Sequence, residues 1–302
     1  HMKRILTYSI TQNDLHTPVS IQDYLKNLGY PHTVFVYLRK NTGSVLLNGT
    51  CTLLKTPLKE GDLLTITLEE RDSSKNIIPA DIPLSICYED KDILVLNKPA
   101  HMPIHPSMGH HESTLANAVT GYFDSCGTPC PFRCINRLDR DTTGLTIVAK
   151  HMLSAAILNN AMTRREISRE YLAIVEGSTD DAGTIDAPIA RKDGSTIERE
   201  VNFLRGETAV THYRKLAERN GLSLLSLHLD TGKTHQIRVH MSYIGHPLIG
   251  DFLYHPDNNL IKRQALHAHR LIFSHPITGT TMDLSATLPE DMAAFFPDFC
   301  AS

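Results

Sequence analysis

The segment NRLDRDTTGL, Asn136 to Leu145, crowds charge into a place where the chain changes character. Arg137, Asp139, Arg140 and Asp141 fall within five positions, and Gly144 then opens the apolar run Leu145, Ile147, Val148 and Ala149. A carboxylate held between cations, on a charged loop that feeds a buried strand, is a natural place for chemistry on a ligand. The same residues also suit a plain surface turn, with Asp141 and the following threonines bonded to the turn backbone. On this segment alone both readings stay open.

A second dense segment, LDTGKTHQIRVHMSYIGHPLIGD, runs from Leu229 to Asp251. Gly232, Lys233 and Thr234 have the ending of a phosphate-binding loop, but that motif needs a glycine where Leu227 stands, so a nucleotide triphosphatase has no support. His235 and His240 miss the four-residue offset of a zinc helix, and no acidic residue separates them. A metal-dependent hydrolase using His235, His240 and Asp251 is a distant alternative without proper ligand spacing. The chain has no GxSxG elbow, which removes the serine-hydrolase reading. What remains is a glycine turn opening a helix over Thr234–Tyr243, with Ile237, Met241 and Ile244 on one face. Arg238 sits one position from that face, where an arginine ordinarily snorkels to water. A third segment, SREYLAIVEG, Ser168 to Gly177, starts a strand at Tyr171 directly after basic residues, and an ordinary strand aromatic is the plain reading.

Composition narrows the class. The chain has 302 residues, 41% hydrophobic and 21% charged, with net charge −3, which is ordinary for a globular protein of one large domain or a large and a small one. No apolar run is long enough to span a bilayer. The start lacks the apolar core of a signal peptide, and His1 before Met2 reads as a cloning remnant, so the expected location is the cytoplasm. Cys126, Cys130 and Cys134 do not match zinc-knuckle spacing, and Pro129 and Pro131 oppose a helix that would align them. His101, His105, His110 and His111 lack acidic or thiol partners at fixed offsets. No metal or cofactor is expected. The net charge shows no global basic footprint. Local basic clusters at Arg133/Arg137/Arg140, Arg164/Arg165/Arg169, Arg191/Lys192 and Lys262/Arg263 become informative only if folding gathers them at one cleft.

These segments need elements to position them. Residues 1–72 read as a small module: a helix through Ile21, Tyr24, Leu25 and Leu28 stopped by Gly29, a second helix around Val34–Leu38, then a small hairpin turning at Asn48-Gly49. Residues 73–83 read as a polar, proline-containing linker. Residues 84–302 mix strands with helices near 113–123 and 152–162, without regular alternation. This implies an α+β fold around one large mixed, mainly antiparallel sheet.

Taken together, the motifs LVLNKPAHMPIHPS (Leu94–Ser107), NRLDRDTTGL, SREYLAIVEG, TGKTHQIRVHMSYIGHPLIGD and LHAHRLIFSHPITG (Leu266–Gly279) resemble the RluA-type family of RNA pseudouridine synthases, in order and spacing across roughly residues 85–290. The front module more weakly resembles the αL-type RNA-binding domain shared with a ribosomal small-subunit protein. The resemblance implies an isomerase that converts uridines of structured RNA to pseudouridine without a cofactor. Its substrate would be large-subunit ribosomal RNA first and transfer RNA second; the sequence does not encode the oligomeric state legibly, and a monomer is the default expectation. A noncatalytic RNA-binding or ribosome-assembly factor on the same fold is the main alternative, disfavoured by the joint presence of Asp139, Tyr171 and Arg238.

Residue by residue, Asp139 falls on the catalytic aspartate, Tyr171 on the active-site tyrosine and Arg238 on the active-site basic residue. Arg137 falls on the arginine that helps evict the target base, and Arg140, Lys233 and His235 are expected at the RNA. Asn136 stands where the family usually has His, and His101 where it often has Gly. Both departures are expected to affect how flanking RNA is held. Lys233 replaces a common Arg. In the expected chemistry Arg238 is the cation that keeps Asp139 ionised, and Arg238→Met costs activity while the fold is largely kept.

Overall fold

The computed structural model of the protein describes residues 2–15, 19–70, 76–107 and 112–299. His110, His111, Cys300 and the first part of the expected linker lie outside the described residues.

The front of the chain builds a four-stranded sheet with two helices. Strand β1 (Met2–Ser9) and β4 (Leu63–Glu70) pair antiparallel along their whole length, and β2 (Val45–Leu47) with β3 (Thr50–Cys51) extends the sheet from β4. Helices α1 (Ile21–Asn27) and α2 (His32–Lys40) cover it. Ser20 caps α1 by accepting from the Asp23 amide, and Ile21, Leu25, Val34, Phe35, Leu64 and Ile66 form the core between sheet and helices. The two helices and the hairpin agree with the sequence reading. The first strand was not anticipated, because its period-two pattern is interrupted by charge: only Met2 and Leu6 are buried in MKRILTYS.

The rest of the chain surrounds one nine-stranded sheet, of order β5-β6-β7-β14-β8-β13-β12-β9, with β15 added beside β14. The strands are β5 (Ile86–Glu89), β6 (Ile93–Lys98), β7 (Thr143–Ala149), β8 (Ser168–Glu176), β9 (Ala182–Asp186), β12 (Val210–Arg219), β13 (Leu222–Leu229), β14 (Leu266–Ser274) and β15 (Thr281–Ser285). A separate two-stranded ribbon, β10 (Ile189–Arg191) and β11 (Arg199–Val201), stands off it. Among the described residues only β7 and β14 run parallel, and the other pairings of the large sheet are antiparallel. The mixed, mainly antiparallel α+β architecture is therefore as expected. Helices α3 (Leu115–Ser125), α4 (Met152–Thr163), α5 (Gln236–Tyr243) and the short α6 (Glu290–Ala293) flank the sheet.

The parallel pairing of β7 and β14 carries the Asp139 loop. All seven residues of β7 are buried, as a strand covered on both faces requires. Gly144 has φ +114°, and a Cβ there would lie 2.2 Å from the Ala268 carbonyl oxygen. Only glycine lets the loop's exit strand come this close to β14.

The front module is docked on the large domain by buried charge. Arg4 holds Asp92 through two bonds of 2.6 and 3.0 Å, and His151 Nε2 lies 2.9 Å from the same carboxylate. Glu70 pairs with Arg133 and accepts the Met152 amide at the start of α4. Leu153 of α4 joins the front module's core. Residues 76–83 lie along α3: the Ala80 amide donates to the Asn117 carbonyl, and Asn117 Nδ2 donates to the Ile78 carbonyl.

Burial pushes the Asp92 carboxyl up, but His151 and Arg4 outweigh it and hold it at about 2. An unfolded aspartate titrates near ~3.9, so the folded value is the lower one. The contribution of this contact is then fully present above about pH 4 and is lost as the pH falls towards 2. Arg4→Ala is expected to reduce stability by about 1–3 kcal/mol at neutral pH, with the difference from wild type shrinking between pH 4 and 2. Denaturant titrations at a series of pH values test this, and a gap that stays constant down to pH 2 would argue against the pairing.

Candidate active site

Asp139 stands on the loop between Asn136 and β7. Asn136 is buried and pins the loop: its Nδ2 donates to the Leu145 carbonyl at 2.9 Å and its Oδ1 accepts the Ile147 amide at 2.8 Å. Its side chain is thus spent on the strand that follows the loop, so any influence on flanking RNA runs through the loop's position. Below the loop Lys98 is 1% exposed. Its Nζ donates to the carbonyls of Pro99, Met102 and Arg140 at 2.8–2.9 Å, tying β6 to the residue after Asp139. Burial pushes the Lys98 ammonium down to about 7, with Asp141 and Asp139 working against it.

The cation opposite Asp139 comes from α5. Helix α5 begins at Gln236, two residues later than expected, because His235 takes a left-handed conformation at φ 58°. Gln236 then locks the preceding turn. Its Oε1 accepts from the Lys233 amide and the Thr231 hydroxyl, and its Nε2 donates to Val210 O and Thr211 Oγ1. This start turns Arg238 inward. Arg238 does not snorkel to water; it is 2% exposed. Its NH1 donates to Asp139 Oδ2 at 3.0 Å, while Nε and NH2 form a bidentate pair with Asp251 at 2.7 and 2.8 Å. Asp251 is completely buried and also accepts the amides of Leu253 and Tyr254. Burial works against the Arg238 cation, but Asp251 and then Asp139 outweigh it and hold the guanidinium above its ordinary range.

Tyr171 is buried in β8, with β13 on one side and β14 on the other. Burial pushes its phenol up, Arg169 opposes this, and Asp139 adds to it, so the hydroxyl keeps its proton near neutral pH. One cleft is lined by Arg137, Asp139, Tyr171, Lys233, His235 and Arg238, with Leu138, Ile237 and Leu266 as apolar wall. Six of the seven site residues expected from sequence thus meet in one place. The seventh, Arg140, is turned to the rim, where it holds Asp141 at 2.8 Å and lies 6.0 Å from the exposed Phe252 ring. His101 also reaches Asp141, at 2.8 Å.

His235 Nε2 lies 3.8 Å from Asp139 Oδ2, and its Nδ1 lies 2.9 Å from the Tyr254 hydroxyl. Burial pushes the His235 imidazole down, although Asp139 opposes this. Tyr254 was not anticipated. Its ring lies 5.1 Å from the Arg238 guanidinium carbon, and burial pushes its phenol up to about 12. Its position three residues after Asp251 was the only available signal.

A metal hydrolase has no basis in this arrangement. His240 is occupied by Thr211 Oγ1 and the Ala187 carbonyl, and Asp251 by Arg238. Among the described residues only Asp90, Asp92 and His275 bring three potential metal ligands together. Those groups are already bonded to Arg4, His151, Tyr88 and backbone amides.

A carboxylate, a buried arginine and a buried tyrosine facing one polar cleft on a mixed sheet make a site suited to nucleophilic or acid–base chemistry. The profile of the RNA pseudouridylate synthase family matches residues 92–243. The chain is 39% identical over 276 residues to a Bacillus subtilis protein named uncharacterized RNA pseudouridine synthase YjbO, covering 91% of this chain and 97% of that one. It is 39% identical over 263 residues to ribosomal large subunit pseudouridine synthase D of Escherichia coli K12, covering 82% and 80% of the two chains. Among solved structures, human RNA pseudouridylate synthase domain containing 1 superposes with a TM-score of 0.58 at 26% identity, covering 68% of this chain and 84% of that one. The chain belongs to the RNA pseudouridine synthase family, whose members are RNA-modifying isomerases. No helix among the described residues is long and apolar enough to cross a membrane.

Proposed function

We propose that Asp139 is the catalytic carboxylate of this synthase and that its substrate is large-subunit ribosomal RNA, modified in the cytoplasm by a monomeric enzyme. The observation that carries the reading is the 3.0 Å contact between Asp139 and the buried Arg238, itself fixed from behind by Asp251. A buried guanidinium held from behind by Asp251 gives the Asp139 carboxylate one orientation. The named activity of the Escherichia coli relative supports ribosomal RNA as the substrate. Mapping pseudouridines in cells lacking the gene tests it: loss at large-subunit positions is expected, and loss confined to transfer RNA would overturn it.

In the reaction the bond from ribose C1′ to uracil N1 breaks, the base turns within the cleft, and C1′ is joined to C5. The C5 proton is then lost and N1 gains one, so nothing is consumed. Asp139 acts at the sugar, as nucleophile at C1′ or as base towards a glycal. The uridine must leave its stack to arrive there, at a cost of a few kcal/mol. Arg137 is exposed at the cleft and two residues from the carboxylate, in position to fill the vacated space.

Tyr171 offers a flat face for the uracil and a protonated hydroxyl for the step at C5. Tyr171→Phe is expected to keep RNA affinity within about threefold, since the stacking face survives, and to lower turnover by about 10²-fold or more. Single-turnover tritium release from RNA labelled at uridine C5 measures this, and unchanged turnover would restrict Tyr171 to stacking.

We also infer that the front module adds RNA affinity through linkage. Removal of residues 1–75 exposes Leu153 and leaves Arg133 without Glu70, so the truncated protein is less stable as well. The expected result is a KM raised by at least about tenfold with kcat changed much less. An unchanged KM would refute the division of labour.

A further inference from the structure

Lys233 is the junction of three depressions. It lines the catalytic cleft, a groove towards the β10–β11 ribbon with Arg191, Arg199 and Arg205, and a wider groove towards the α4–β8 corner with Arg137, Arg165 and Arg169. Its ammonium is taken by Glu207. That glutamate is not a loose surface group. Its amide donates to the Ile189 carbonyl and its carbonyl accepts from the Ile189 amide, both at 2.9 Å, which fixes its backbone against β10. Yet its side chain is 74% exposed, so it is open to displacement.

Beside Lys233, the Arg169 guanidinium rests on Gly232, where a Cβ would come within 2.9 Å of NH1. Arg169 Nε is buried without a hydrogen-bond partner, its NH2 makes a long 3.4 Å contact with the Thr231 carbonyl, and the guanidinium also meets the Tyr171 hydroxyl. A buried guanidinium nitrogen left unpaired is costly unless another acceptor comes to the group. The wide groove has two carboxylates, and one of them, Asp230, is engaged by His212. The other is Glu207.

Resting on the RNA reading above, we propose that Lys233 and Arg169 form a phosphate subsite for the strand flanking the target uridine, and that Glu207 holds Lys233 as a carboxylate stand-in until an RNA phosphate displaces it. A phosphate presents more acceptor oxygens than a carboxylate and meets both cations at once. Since Lys233 opens onto the cleft as well, the exchange couples strand seating to the mouth of the active site. Without RNA the Glu207 contact discourages adventitious anions.

The test is binding of the full chain to a fluorescein-labelled twelve-nucleotide oligouridylate over a salt series. Glu207→Gln is expected to tighten binding about two- to fivefold at low salt. Lys233→Ala is expected to weaken binding and reduce the slope of log K against log salt by about 0.7, and Glu207→Gln added to it should tighten binding no further. Gly232→Ala, which displaces the Arg169 guanidinium while leaving Lys233 in place, should flatten the slope by a similar amount. Equal tightening by Glu207→Gln with and without Lys233, or no tightening in either, would overturn the exchange. An unchanged slope in Gly232→Ala would remove Arg169 from the subsite. These readouts do not use turnover, so a failed subsite with normal tritium release leaves the synthase reading intact, and absent turnover leaves the binding result interpretable.

Discussion

Asp139→Asn is expected to reduce tritium release from uridine-labelled RNA by at least about 10⁴-fold, the scale seen when a group central to the chemistry is removed. RNA affinity should change by no more than about threefold. The two effects separate because the substitution is nearly isosteric. The amide oxygen can still accept from Arg238 NH1, and the loop is held by Asn136 and Lys98 rather than by Asp139 itself. What is lost is the negative charge facing the sugar, and an amide can neither attack C1′ nor take a proton. Residual turnover above about 1% of wild type would force the carboxylate role onto another residue. Among the acids near the cleft, Asp251 is closed off by Arg238 and Asp141 is shared by Arg140 and His101. Neither is free to replace it.

Arg238→Met is expected to fail twice. Activity should fall with the loss of the cation that orients Asp139. Stability should also fall, by about 3–5 kcal/mol, because Asp251 is left as a fully buried carboxylate without its counter-charge. The sequence reading anticipated a largely intact fold, since it paired Arg238 with Asp139 and did not foresee the buried partner Asp251. A second substitution separates the two losses. In Arg238→Met/Asp251→Asn the buried charge is gone, while the Asn oxygen can still accept the Leu253 and Tyr254 amides. Most of the stability should return in denaturant titration while tritium release stays low. If activity returned with stability, Arg238 would be a scaffold residue only and the proposed pairing with Asp139 would be wrong for catalysis.

How far the sequence discloses the site depends on how local each signal is. Asp139, Tyr171 and Arg238 each lie in a short dense motif whose residues alone left plain readings open, and it was the resemblance of the ordered motifs to a known family that grouped them. Asp251 lay in the same motif as Arg238, yet its partner was invisible because the twelve intervening residues must fold back before the two meet. Lys98 was quoted within a motif without a role, since its three acceptors are backbone carbonyls, which leave no trace in side-chain spacing. Asn136 was noted only as a departure from the family's usual His, and its bonds to the Leu145 carbonyl and the Ile147 amide, which are tertiary, were out of reach of the sequence. Among the elements, strands such as β7 and β8 were legible from the apolar runs after Gly144 and Tyr171. The short ones β9, β10 and β11 were not, since three to five half-exposed residues carry too little pattern. The ion pairs from Arg4 and Glu70 to the large domain are tertiary facts of the same kind.

The pairing of β7 with β14 has a consequence for how the enzyme is made. Thr143 and Ala268 belong to segments more than a hundred residues apart, joined by the Thr143–His267 contact at 2.9 Å and by Arg263, which reaches the Asp141 carbonyl. The front sheet, with β1 paired to β4, can close while the chain is still short. The Asp139 loop cannot be set until β14 has left the ribosome, because contacts of such long range form late. Unfinished chains are therefore expected to be inert towards the RNA that surrounds them during translation, and competence to arrive in one step near the end of synthesis.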